Sequence, residues 1–362
     1  MPEDPAALRG SAFSVPVEYV RCIADQLRAA GVSVEQWLAD CRLPAVELAR
    51  PGGVVPYPTF EELVQTALTT SREPALGLFV GQRLGATTHG MVGAAAVHSS
   101  VVRQALDVVK RFSNLRSSII EISDEITSDR GRIIVTEPLP LGAIQRPILE
   151  AVVVSLKNLL DDVTMGACGV FEVAFPFPEP EYAALAHDIF GCNVRYGQTW
   201  AGFAAPTAVL DLPLKLADPI AFQEAADICQ QELERIAENA SWGARLRRVF
   251  LESQEQSGFP TLQVAARLLH VTPRTLHRRL LDEGTSYREQ LEAVRHTLAL
   301  SHLKSQRLSM QEIAYRLGYS DLSNFRRAFK RWEKQPPSLF RTMGDAATTA
   351  AQTATAAPKR QT

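Results

Sequence analysis

Ala265-Ala266-x-x-Leu269-His270-x-Thr272, followed by Leu276-x-Arg278-x-Leu280, returns as Ile313-Ala314-x-x-Leu317-Gly318-x-Ser320, followed by Phe325-x-Arg327-x-Phe329. Each copy places a small residue in a first helix, a short turn after it, and an apolar i, i+4 pair beside arginine in a second helix. That is the pattern of a helix-turn-helix, and two copies in tandem point to a chain that presents two helices to duplex DNA.

In the first copy Thr261 is placed to cap a helix from Leu262 to Leu269, and Ala266 is small enough for the next helix to cross closely. Thr272 caps that next helix and Pro273 takes its first position, where the missing N–H costs nothing. Leu276 and Leu280 share the inward face. Arg274, His277 and Arg278 lie away from it, and with Thr275 they are the expected DNA contacts. Arginine offers paired donors to guanine O6 and N7, and each good pair is worth roughly 1–3 kcal/mol of base discrimination. Arg279, between the two faces, is expected to meet phosphate or water.

In the second copy Ser309-x-x-Glu312 is a capping box, and Ala314 and Gly318 mark the crossing and the turn. Leu322 to Trp332 forms the second recognition helix. Phe325 and Phe329 face inward; Ser323, Asn324, Arg326 and Arg327 face outward, with Asn324 suited to adenine and Arg327 to guanine or phosphate. Trp332 falls on the same buried stripe as the phenylalanines, which argues against a single-strand binder with exposed stacking aromatics. Between the copies Gly284 ends a helix, Ser286 caps another, and Tyr287, Leu291, Val294 and Leu298 form its apolar side. From Ser286 to Gln306 that helix spans about 30 Å, close to the roughly 34 Å turn of duplex DNA, so one chain is expected to reach two successive major grooves.

Charge divides along the chain in the same sense. The formal net charge is -2, yet residues 1–240 carry 18 Lys/Arg against 30 Asp/Glu, whereas residues 241–341 carry 18 against 9. An acidic body joined to a basic module fits a nucleic-acid binder whose other half has a separate role. At 362 residues and 46% apolar content the chain exceeds one hydrophobic core. Cys22, Cys41, Cys168, Cys192 and Cys229 are scattered and lack C-x-x-C spacing, so buried reduced thiols are expected, with no disulfide framework and no metal site. The chain opens without a charged-then-apolar leader and has no apolar run near ~18 residues, so a cytoplasmic protein with no membrane partner is expected.

The amino-terminal part reads as helical from Val15 to about Leu84, through Val20-Ile23-Leu27, Val34-Leu38, Phe60-Leu63-Ala67 and Leu76-Phe79-Val80. The small residues of Thr88–Ala96 permit a tight turn or close helix packing, and a helix through Leu106, Val109 and Phe112 follows. Ile119–Ile122 and Arg132–Val135, flanking Ser128–Gly131, predict a hairpin. A helix through Ile148-Val152-Leu156-Leu160, a strand at Val170–Phe175, a helix from Glu181 to Phe190 and a second hairpin from Asn193–Tyr196 and Trp200–Phe203 complete an α+β arrangement. A long helix over Asp218–Glu238 leads to a seam at Ser241-Trp242-Gly243.

The expected architecture is therefore multidomain. An α+β effector-binding or dimerisation domain spans 15–215 and a helical linker 216–242. An all-α DNA-binding domain spans 243–343, with helix-turn-helix units at 261–283 and 309–332 joined by a long helix. A disordered tail over 344–362 ends the chain.

The segment Ile313-Ala314-x3-Gly318-Tyr319-x3-Ser323-x-Phe325-x-Arg327-x-Phe329-Lys330-x-Trp332, with Pro337 and Arg341, resembles the AraC/XylS family of bacterial transcription regulators. Two departures stand out: Glu333-Lys334-Gln335-Pro336 replaces a Gly-containing turn, and His270 replaces a more frequent Gly. Residue by residue, the resemblance puts the family's recognition positions on Arg274, His277, Arg278, Ser323, Asn324 and Arg327. Upstream, Gly77-Leu78-x-Val80-Gly81-x-Arg83-Leu84, His89-Gly90-x-x-Gly93, Phe190-Gly191-x-x-Val194-x-Tyr196-Gly197 and Leu210-Asp211-x-Pro213-Leu214 resemble the branch with an arabinose-binding-like amino-terminal domain. The resemblance implies an unknown small-molecule effector, promoter DNA and RNA polymerase as partners, a homodimer, and no cofactor.

Two other function classes compete. An architectural DNA-bending protein would lack effector control. A DNA-repair enzyme would need an activated cysteine, and Cys168 and Cys192 lack such a setting, while His89, His98 and His187 show no nucleophile-and-carboxylate constellation. A sequence-specific regulator with no catalytic residues is favoured over both.

Overall fold

The computed structural model describes residues 14–50, 52–117, 119–138, 141–239, 241–305 and 308–340. Arg341, the helix end expected at Gln306 and the tail expected over 344–362 lie outside those residues. The described chain forms two compact units, divided between Ile236 and Ala237.

The amino-terminal unit begins with β1 (Ser14–Pro16), α1 (Val17–Ala29), α2 (Val34–Asp40), α3 (Ala45–Ala49) and β2 (Val54–Pro56). The apolar spacing of α1 buries Val17, Val20, Ile23, Ala24 and Leu27 on one side. Ser33 caps α2 by accepting from the Gln36 N–H, and Trp37 Nε1 donates to the Leu63 carbonyl at 3.0 Å, which gives a fully buried indole its partner. Strands β1 and β2 pair antiparallel. At three residues each they are too short to show alternation, which is why the sequence suggests a helical run there.

Next come α4 (Tyr57–Ser71), α5 (Leu76–Arg83), α6 (Gly90–His98), α7 (Val102–Phe112), β3 (Glu121–Ile126), β4 (Arg130–Thr136) and α8 (Gln145–Thr164). The central contact is α5 against α8, and glycine makes it possible. A Cβ on Gly77 would stand 2.5 Å from the Pro147 carbonyl oxygen, and one on Gly93 in α6 would stand 1.9 Å from that of Ala86. The small residues of Thr88–Ala96 thus serve close backbone approach, as the sequence indicates.

After α8 follow β5 (Glu172–Ala174), α9 (Ala183–Phe190), β6 (Asn193–Arg195), β7 (Ala201–Pro206) and α10 (Pro219–Asn239). The five-stranded sheet runs β3-β4-β7-β5-β6. The first expected hairpin is present, with Glu121 opposite Thr136 and Ile126 opposite Gly131. The second is not: β6 pairs parallel with β5, and β7 pairs antiparallel with both β4 and β5. After β6 the chain stays bound to the end of β5, as Gly197 N donates to Phe177 O at 2.9 Å and Gln198 N to Phe175 O at 3.0 Å. The segment therefore cannot turn back on β6, and β5 fills the place between the two strands. Alternating residues identify strands; they do not say which strands are neighbours.

The carboxy-terminal unit contains α11 (Trp242–Ser257), α12 (Leu262–Leu268), α13 (Pro273–Asp282), α14 (Tyr287–Ser305), α15 (Met310–Arg316) and α16 (Leu322–Glu333). Helix α11 is not anticipated from the sequence. Two apolar clusters divide the unit. Leu246, Phe250, Ala265, Ala266, Leu276 and Leu280 form one; Ile313, Ala314, Leu317, Phe325 and Phe329 form the other. Helix α14 contributes Val294 to the first and Ala299, Leu300 and Leu303 to the second. Among the described residues no helix is long and apolar enough to cross a membrane.

Candidate nucleic-acid interface and amino-terminal cavity

Helix α13 starts as its sequence dictates. Thr272 Oγ1 accepts from Thr275 N at 3.1 Å, and Pro273 follows at the first helical position. Leu276 and Leu280 are buried at 0% and 1% exposure, fixing the opposite face toward water. Arg274, His277 and Arg278 are exposed on that face, and none has a side-chain partner among the described residues. Thr275 is half-buried, and its hydroxyl lies 2.8 Å from that of Thr272. Arg279, expected to meet phosphate or water, is exposed and also lies over the indole of Trp242, 5.7 Å from the ring centre. The reason is tertiary: Glu283, just beyond α13, accepts from Trp242 N at 2.6 Å and Gly243 N at 2.9 Å, which brings the start of α11 beside α13.

In α16 the cap is Asp321, whose carboxylate accepts from Asn324 N at 2.7 Å. That bond holds the Asp321 carboxyl below its ordinary range. Ser323 and Arg326 are exposed and without a side-chain partner among the described residues. Asn324 is half-buried and engaged: its amide donates to Asp321 Oδ2 at 2.6 Å and Ser320 Oγ at 3.1 Å, and its oxygen accepts from Arg327 Nη2 at 2.7 Å. Asp321 was not singled out from the sequence, although an aspartate three residues before Asn324 is an ordinary cap signal.

Helix α16 is also tied to α14. His296 Nε2 lies 2.6 Å from Glu333 Oε1, Arg331 pairs with Glu292 at 3.0 Å, and the His296 ring packs on Trp332 with centres 5.0 Å apart. Trp332 is thus a packing residue, as its spacing indicates. In the turns, His270 (φ +56°) and Gly318 (φ +71°) both occupy the left-handed region, so the family departure at His270 keeps the backbone that glycine normally serves. The second departure behaves alike: Lys334 ends α16 at φ +60°.

The amino-terminal unit contains a partly open cavity of about 120 Å³ whose walls include Ile23, Phe60, Val64, Leu76 and Leu156. None of its polar lining was identified from the sequence, because Tyr19, His89, Arg116 and Ser155 are far apart along the chain and share no motif. Ser155 Oγ donates to the Leu84 carbonyl at 3.0 Å, so it accepts from His89 Nε2 at 2.8 Å. That fixes the neutral tautomer, leaving His89 Nδ1 to accept from Tyr19 Oη at 3.0 Å. Burial, reinforced by the Arg116 charge, pushes the His89 pKa down to about 4. Arg116 Nη2 donates to the Thr88 carbonyl at 3.0 Å, while its Nε is buried without a hydrogen-bond partner among the described residues.

The five cysteines form no disulfide, and burial pushes all five thiols up. Cys168 also donates to Asp161 Oδ1 at 2.8 Å, and that neighbouring carboxylate raises it further. Activation of a cysteine nucleophile needs the opposite environment. Among the described residues no group of His, Cys, Asp and Glu is placed to hold a metal ion.

Residues 31–214 match the family described as the arabinose-binding domain of AraC transcription regulator, amino-terminal, and residues 265–343 match a helix-turn-helix domain family. The chain is 31% identical over 334 residues to the ornithine utilization regulator of Pseudomonas aeruginosa, covering 92% of this chain and 98% of that protein. It is 28% identical over 345 residues to an uncharacterized HTH-type transcriptional regulator of Mycobacterium tuberculosis, covering 91% and 96% of the two chains. The crystal structure of the transcriptional regulator CdpR from Pseudomonas aeruginosa aligns with 85% of this chain and 96% of its own, at 27% identity and TM-score 0.42. With the arginine-bearing helices of its carboxy-terminal unit and the family match over its amino-terminal one, this chain belongs to the AraC family of DNA-binding transcription regulators that carry an arabinose-binding-type amino-terminal domain.

Proposed function

We propose that this regulator reads promoter DNA through two helix-turn-helix units, 261–283 and 309–332, with α13 and α16 as recognition helices and α14 as the connector. The proposed organisation is an effector-binding and dimerisation domain over 15–215, a helical linker over 216–242 and a DNA-binding domain over 243–343. The observation that carries the reading is the outward face of α13: Arg274, His277 and Arg278 are exposed and unengaged among the described residues, on a helix held rigidly by its cap and by Leu276 and Leu280. Free guanidinium groups on a fixed helix can dock on base edges without first breaking internal bonds. Helix α14, with 19 residues, is about 28 Å long at ~1.5 Å per residue, a length that suits two successive major grooves.

Thr275, Ser323, Asn324, Arg326 and Arg327 complete the proposed contact set. In this reading Thr275 and Ser323 serve phosphates near the helix starts, Arg327 and Asn324 serve bases, and Arg326 serves the backbone. A small effector in the amino-terminal domain, a second copy of the chain, or both would alter promoter occupancy or contact with RNA polymerase, with no chemical step by the protein itself. The effect can be no larger than the effector's preference for one state over the other. Binding-site selection with alanine variants tests the reading: Arg278→Ala should relax preference at defined base pairs. A uniform loss of affinity across all sequences would instead identify an architectural binder.

A further inference from the structure

The cavity of the amino-terminal unit is small, apolar and lopsided in its polarity. Its volume sets the scale of what it can bury: a space of roughly 150 Å³ accommodates a benzene-sized molecule, so about 120 Å³ suits one ring or a short hydrocarbon chain. Among the described residues no aspartate or glutamate lines it. A molecule with two ammonium groups would leave both charges without a counter-ion, at prohibitive desolvation cost.

The polar groups at one end sort themselves by donor and acceptor. Tyr19, His89 and Ser155 use their donors on one another and on Leu84, and His89 is neutral at physiological pH. Arg116 is then the one cation among the described lining residues. Its nearest carboxylate, Glu18, stands 3.7 Å from Nη2 and is shared at 3.7 Å with Arg21, so the guanidinium is only partly compensated. Its buried Nε–H lacks an acceptor among the described residues, and an unmet buried donor favours a ligand that supplies one.

Resting on the effector reading above, we propose that this cavity binds a small apolar organic acid, a single aromatic ring or a short aliphatic chain bearing one carboxylate, with Arg116 holding the carboxylate and Ile23, Phe60, Val64 and Leu76 enclosing the hydrocarbon. The apolar part supplies binding through burial, and the single arginine selects acids over their neutral analogues.

Calorimetric titration of the full-length chain tests this with benzoate and hexanoate as acids, benzyl alcohol and hexanol as neutral analogues, and ornithine as the amino acid named for one relative. The acids should bind at least tenfold more tightly than the alcohols in the unaltered protein, a comparison that needs no variant. Arg116→Gln should weaken the acids by ~10–100-fold, the range of a lost charge-assisted hydrogen bond, while leaving the alcohols unchanged. Equal binding of acids and alcohols, or binding of ornithine alone, overturns the assignment. Footprinting with the same acids separates it from the regulatory reading: acids that bind without altering DNA occupancy leave the cavity assignment standing and remove the effector role.

Discussion

The two helix pairs of the carboxy-terminal unit share a backbone plan and differ in how their outward side chains are occupied. Both use a small residue at the crossing, Ala266 and Ala314, each almost fully buried, and both pass through a left-handed residue in the turn. In α13 the outward Arg274 and Arg278 are unengaged among the described residues. In α16 the side chain of Asn324 is bound on both its amide nitrogen and its oxygen, and Arg327 is one of its partners. A shared scaffold therefore carries two outward faces of different readiness: under the proposed reading, contact by the first costs little rearrangement, whereas base reading by Asn324 requires internal bonds to be exchanged.

The largest expected effect tests the shared part of the plan. Ala266→Leu and Ala314→Leu should each destabilise the unit by roughly 1–3 kcal/mol through overpacking, measured by denaturant unfolding of the full chain. Similar losses at both sites support equivalent crossings, and a tolerated leucine at either would break the equivalence. Next comes the difference in readiness. Arg278→Ala should cost roughly 1–3 kcal/mol of base discrimination in competition binding, whereas Arg327→Ala should cost less. The reverse order would show that the bound state frees Arg327 from Asn324.

The caps sharpen the comparison further. Thr272→Ala should destabilise α13 by about 1 kcal/mol, with base preference unchanged. Asp321→Ala should weaken α16 and also release Asn324, shifting preference in the second half-site. The caps also differ in pH response. Hydrogen bonds to backbone N–H hold the Asp321 and Glu312 carboxyls below their ordinary values. Their contribution is complete above the unfolded values of 3.8 and 4.5 and is lost as pH falls through the lower folded values. The threonine cap of α13 does not titrate. Amide exchange on acidification should therefore rise first at α15 and α16, and simultaneous loss in α13 would refute the distinction. The smallest effect concerns the turns. His270→Gly should stabilise the fold by less than ~1 kcal/mol, because relief of the left-handed conformation is offset by the greater freedom of glycine in the unfolded chain. Gly318→Ala should destabilise it, and both changes are readable as melting shifts.

Much of the carboxy-terminal unit was legible because its determinants are local. Capping side chains three residues from their N–H partners, a proline at a helix start and apolar residues four apart each specify structure within one or two turns. The face of Arg274, His277 and Arg278 follows from the positions of Leu276 and Leu280. What could not be read there is the engagement of side chains across helices. Arg279 meets Trp242 from α11, and His296 meets Glu333 across 37 residues of chain. No periodicity links such positions.

The amino-terminal unit divides differently. Its helices and its first hairpin follow from residue patterns, but the pairing of β5 with β6 and β7 depends on hydrogen bonds between distant segments, so the second hairpin expected from the sequence does not form. The cavity is more distant still from sequence, since Tyr19, His89, Arg116 and Ser155 meet only when α1, the turn before α6, the chain after α7 and the middle of α8 are packed. By itself the sequence determined the two helix pairs, their caps and their outward basic residues, because helix geometry converts spacing directly into faces. Only the tertiary structure decided which of those residues stay free, which strands are neighbours and where an unmet arginine lines an apolar space, because these depend on the packing of segments that no local rule connects.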